Sequence, residues 1–84
     1  MAVARGAVSS TITVTISGLA PVAHAVHLHA GCNGSATVHI LTIGSVGSAG
    51  TLSVTVSNRL LGNTVIVYPD ASAVGRPILC ATAA

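Results

Sequence analysis

Between residues 24 and 32 the chain reads His24-Ala25-Val26-His27-Leu28-His29-Ala30-Gly31-Cys32 and gathers three of its four histidines and one of its two cysteines. Imidazole is a ligand for zinc and copper and the side chain whose ordinary pKa lies nearest neutrality. In a strand, side chains alternate between faces. His27 and His29 then project from one face about 6.6 Å apart, while Val26 and Leu28 project from the other toward a core. Two imidazoles so placed can share a metal ion or line a polar cleft. Two ligands make a weak site, so the candidate set is His27 and His29 completed by His24, His39, Tyr68 or a second chain. His24 has the opposite strand parity to His27, which favours a bridging or supporting role over direct ligation. His39 falls on an otherwise apolar face, where a buried, hydrogen-bonded histidine is the commoner outcome. Tyr68, the only aromatic, is expected at the core or its rim with its hydroxyl partnered, because a phenol of pKa ~10 is a poor ligand at neutral pH.

Other chemistries lack their residues. Asp70 is the only acid, so no carboxylate pair exists for glycoside or general acid–base chemistry. Nothing like a Gly-x-Ser-x-Gly turn precedes a helix. The glycine-rich segment 44–50 has no lysine and no following helix with which to cradle phosphate. The two cysteines admit thiolate ligation or a disulfide.

The elements that must position the histidines are strands. Val, Ile and Thr are abundant, while Lys, Glu, Gln, Phe and Trp are absent. Ser9 to Leu19 alternates cleanly, with Ile12, Val14 and Ile16 on one face and Thr11, Thr13, Thr15 and Ser17 on the other. A histidine strand spans Ala23 to Ala30, and Ala36 to Ile43 reads as a strand apolar on both faces, either central in a sandwich or covered by a partner. Segment 44–50 is a flexible turn. Thr51 to Ser57, Thr64 to Tyr68 and Pro77 to Ala83 complete the set. Residues 1–8 form a lead-in or a short first strand, and Asn58 to Asn63 a connection whose Leu60 and Leu61 plug the core. Six or seven short strands predict a single all-β domain over residues 1–84, a Greek-key sandwich or flattened barrel that leaves an edge open.

Composition bounds the partners. Apolar residues make up 51% of the chain, and the fixed charges are Arg5, Arg59, Arg76 and Asp70 alone. So few charges imply either a hydroxyl-coated surface or one covered by copies of the same chain, as an oligomer or filament. No basic cluster or stacking aromatics suit nucleic acid, and no apolar run is long enough for a transmembrane helix. Two cysteines in so small a β domain favour an exported protein, secreted or periplasmic. Met1 to Arg5 is too short for a signal peptide, so either a leader was removed upstream or the protein is cytoplasmic. Asn33-Gly34-Ser35 is a formal glycosylation sequon.

On these residues the chain resembles copper-zinc superoxide dismutase and the wider SOD-like and CHRD-like β domains. The resemblance rests on His24-x-x-His27-x-His29 and the lead-in Ile16-Ser17-Gly18-Leu19-Ala20-Pro21. It extends to Thr64-Val65-Ile66-Val67-Tyr68-Pro69-Asp70 and the terminal Gly75-Arg76-Pro77-Ile78-Leu79-Cys80-Ala81. It implies a braced β-sandwich with His27 and His29 as copper ligands, His24 bridging backbone groups, and Cys32 disulfide-bonded to Cys80. Tyr68 stands where the family places its next copper histidine, the zinc-binding loop is missing, and Arg76 lies one position from the family's substrate-guiding arginine. The expectation is a copper or zinc site on the histidine strand without efficient dismutase activity. The alternatives are a self-assembling structural subunit and, more weakly, a minimal dismutase.

Overall fold

The computed structural model describes residues 1–84 and is all β. Seven strands follow one another: β1 (Ala2–Arg5), β2 (Ser9–Ile16), β3 (His24–His29), β4 (His39–Val46), β5 (Gly50–Ser57), β6 (Thr64–Val67) and β7 (Leu79–Thr82). They form two antiparallel sheets, a three-stranded one in the order β1-β2-β5 and a four-stranded one in the order β4-β3-β6-β7. The alternation in β2 does what period-two patterning demands. Ile12, Val14 and Ile16 are buried and meet Val26, Leu28, Val65 and Val67 of the facing sheet. On the outer face of the smaller sheet, Thr11, Thr13 and Thr15 pair their hydroxyls with Thr55, Ser53 and Thr51 at 3.1–3.4 Å.

Leu60 and Leu61 pack half-buried against the core, next to a 3₁₀ turn at Asn58–Leu60. Cys32 and Cys80 form a disulfide with a Cα–Cα distance of 5.7 Å, joining the segment after β3 to the last strand. The cysteines are therefore not thiolate ligands.

Two expectations need correcting. Ala36–Val38 is a 3₁₀ turn capped by the Ser35 hydroxyl, and the strand begins only at His39 and runs on to Val46, through part of the presumed flexible turn. That strand is not central either. β4 lies at an edge of its sheet, its apolar residues mostly half-buried. Its pairing with β3 is irregular at two places: Val26 faces Gly44 but His27 faces Thr42, and Leu28 faces Leu41 but His29 faces His39. Ile43 and Ile40 are thus extra residues in the ladder. Each such bulge reverses the side-chain parity beyond it.

Candidate metal centre

β3 separates two environments, as its sequence requires. Val26 and Leu28 are fully buried between the sheets, while His27 and His29 stand on the opposite, outer face of the larger sheet. On that face β6 supplies Ile66 beside His27, and Tyr68 follows at the end of the strand; with Ala25 these form a second, small apolar cluster. The segment after β3 folds over this face. Gly31 turns at φ 99°, a conformation suited to glycine, and leads into Cys32 and Asn33.

His29 has no solvent exposure, and its ring is fixed at both ends. Nδ1 lies 2.6 Å from the Asn33 carbonyl oxygen. A carbonyl can only accept, so Nδ1 carries the proton and Nε2 of the neutral ring presents a lone pair. That Nε2 lies 3.3 Å from His27 Nδ1 and 3.1 Å from His39 Nδ1. The ligand atoms of His27, His29 and His39 all fall within 4.8 Å of one another. Tetrahedral zinc with Zn–N bonds of ~2.0–2.1 Å has nitrogens about 3.3–3.4 Å apart, so two sides of the triangle already approach the required size.

The bulges explain why His39 joins the set. Simple alternation placed it among apolar residues as a buried side chain. With Ile40 extra in the ladder it sits opposite His29, exposed, on the site's face. The signal available in the sequence was the bare presence of a fourth histidine ten residues on, and nothing in its local pattern announced the bulge.

His24 does not join the cluster. It is 1% exposed, with Nδ1 at 2.8 Å from the Tyr68 carbonyl and Nε2 at 2.9 Å from the Ala20 carbonyl. As a metal ligand it is therefore misplaced: both nitrogens tie the loop before β3 to the end of β6. Two carbonyls can be satisfied together only when both ring nitrogens carry protons. Those backbone bonds, Ala20's first and then Tyr68's, raise the pKa of His24 above its ordinary 6.5, with Asp70 adding a smaller attraction. His27 moves the other way. Burial, followed by the neighbouring His39 and His29, lowers its pKa and keeps it neutral, as a ligand must be.

The signs give a measurable contrast. The stability that His24 contributes is complete below pH ~6.5 and is lost as pH rises through its raised folded value; that of His27 is present above ~6.5 and is lost as pH falls. In metal-free protein, NMR titration of the ring protons should place the His24 midpoint above 6.5 and the His27 midpoint below it. The reverse order would contradict the hydrogen bonding described.

Tyr68 is 1% exposed, and its hydroxyl donates to the Gly34 carbonyl at 2.6 Å. Burial raises its pKa, which disfavours the phenolate. Its ring meets His27 edge-on with centroids 5.1 Å apart. It is a wall of the site, buried with its hydroxyl partnered. Arg76 is exposed and does not line the cavity.

Gly34 closes that wall. A Cβ there would meet the Gly75 carbonyl oxygen, with Tyr68 Cε1 at 3.2 Å. Gly34→Ala is expected to cost about 1–3 kcal/mol by overpacking, measurable as a lower melting temperature, and to displace the segment that holds His29. An unchanged melt would show that the contact relaxes freely.

The three histidines open onto a cavity of about 260 Å³, whose other walls include Gly34, Thr42, Tyr68 and Ala73. Comparison of the chain with protein-family models, curated proteins and solved structures finds no match. Function must be read from this geometry.

Proposed function

We propose that this is a small metal-binding β-sandwich domain that holds one copper or zinc ion on His27, His29 and His39. The observation that carries the reading is the convergence of His27 Nδ1 and His39 Nδ1 on His29 Nε2, at 3.3 and 3.1 Å, with the His29 tautomer set by the Asn33 carbonyl. A donor set of imidazoles alone suits copper and zinc. The resemblance to SOD-like domains favours the same metals. Efficient dismutase activity is not part of the proposal, because Tyr68 stands in place of a further imidazole and no zinc-binding loop is present. The disulfide is compatible with an exported protein, and no helix is long and apolar enough to cross a membrane.

Elemental analysis of purified protein, followed by zinc and copper titration, tests the reading. The expected result is one ion per chain, lost in the double variant His27→Ala/His29→Ala. Equal binding by that variant would refute it.

A second reading, self-association as a structural subunit, is favoured by the gap between the two sheets at the β7 edge. There an apolar cleft of about 170 Å³ opens among Met1, Val14, Ile16, Val65, Val67 and Leu79, beside the edge strand β7. β7 itself is exposed along its whole length, and an uncharged open edge can pair with another strand. Light scattering at high concentration should then show a species larger than the monomer; a strictly monomeric protein would remove this reading.

A further inference from the structure

Three imidazoles would supply three ligands to a tetrahedral ion, and no other side chain stands ready as the fourth. Both cysteines are in the disulfide. The only carboxylate, Asp70, accepts hydrogen bonds from the Ser72 backbone and hydroxyl. His24 is committed to two carbonyls. The Tyr68 hydroxyl is spent on Gly34. What faces the three nitrogens instead is the open cavity, whose remaining walls carry no charge.

This arrangement differs in kind from a structural metal site. Structural zinc is closed by four protein ligands, whereas catalytic zinc has three and leaves one position for water or substrate. With three neutral ligands and no carboxylate in the set, the full charge of a divalent ion remains available at that position.

Resting on the three-histidine reading, we propose that the site is an open Lewis-acid centre that takes an external oxygen donor in its fourth position and, with zinc, hydrolyses small uncharged carboxylic esters. The uncharged walls offer no partner for an ionic substrate, and the cavity of about 260 Å³ has room for a small one beside the ion. In the reaction, the oxygen of water bonds to the ester carbonyl carbon and the bond from that carbon to the alkoxy oxygen breaks. One proton of the water passes to the departing alkoxide, giving an acid and an alcohol with no change of oxidation state. A divalent ion held by the histidines supplies the positive charge that polarises the carbonyl and acidifies the attacking water. The chain's own part is to hold the three nitrogens, keep the phenol of Tyr68 turned away on Gly34, and leave the cavity side open.

The test uses the whole chain loaded with cobalt(II), a spectroscopic substitute for zinc, and titrated with thiocyanate and acetate. The expected result is one cobalt per chain and visible bands that shift and saturate with added ligand. The zinc form should also hydrolyse p-nitrophenyl acetate faster than metal-free protein or the same concentration of free zinc, with the gain lost in His39→Ala. One bound cobalt with bands that ignore added ligands would overturn the open position while leaving the three-histidine site intact. Ligand binding without ester hydrolysis would overturn the assigned reaction. Failure to bind cobalt or zinc at all would remove the metal site itself, and this inference with it.

Discussion

Replacing His39 with alanine is expected to weaken zinc binding by more than ~100-fold, beyond the usual cost of losing a group that merely orients a ligand, while leaving the metal-free fold nearly as stable as before. His39 is exposed, and its side chain packs into no core, so its loss removes a ligand and little else. His29→Ala should abolish binding too, but for a mixed reason. That ring is wholly buried, and its removal leaves the Asn33 carbonyl without its partner. A lost hydrogen bond of this kind costs about 0.5–1.5 kcal/mol, and the space left by the buried ring adds to that. The pair of variants therefore separates ligation from folding. Saturating zinc should raise the melting temperature of the parent, since a ligand at a hundred times its Kd contributes about 2.7 kcal/mol. Neither variant should show that rise, and His39→Ala alone should melt near the metal-free parent. A His39→Ala protein that still gained thermal stability from zinc would place the ion elsewhere.

How much of this was legible beforehand follows from which features are local. Alternation in β2 and β5 fixed their buried faces, because one face of each strand meets a core and period two leaves no other choice. The shared face of His27 and His29 was readable for the same reason. His39 was not, because its face depends on the bulge at Ile40 created by pairing with β3, and Ile40 looks locally like any strand residue. The 3₁₀ turn at Ala36–Val38 was hidden likewise: Ala-Thr-Val carries β propensity, and the Ser35 cap that turns it is a weak signal. His24 shared the histidine motif and so entered the ligand set, yet its strand parity already favoured a bridging role, and it bridges the nearby Ala20 carbonyl and the distant Tyr68 carbonyl. The pairing of Cys32 with Cys80 followed from the family resemblance, and the structure has it.

The disulfide also carries the second large effect. It closes a loop with a sequence separation of 48, for which chain entropy predicts a contribution of roughly 4 kcal/mol to stability. In a domain of this size each kcal/mol moves the melting temperature by about 4–8 °C, so Cys80→Ser, or reduction of the parent, should lower it by ~15 °C or more. The consequence reaches the metal site as well. Cys32 immediately precedes Asn33 and Gly34, whose carbonyls hold His29 Nδ1 and the Tyr68 hydroxyl. Freeing Cys32 from β7 loosens the one segment that sets the tautomer of His29 and the wall opposite it. Reduced protein, kept below its lowered melting point, should therefore bind zinc about 10–100-fold more weakly, the usual effect of losing an orienting partner. Calorimetry of the oxidised and reduced forms, with and without zinc, reads both effects in one series. A large fall in melting temperature with unchanged zinc affinity would show that His29 holds its orientation without the tether, confining the bond's role to folding. Equal melting temperatures would remove the disulfide from the stability of the domain altogether.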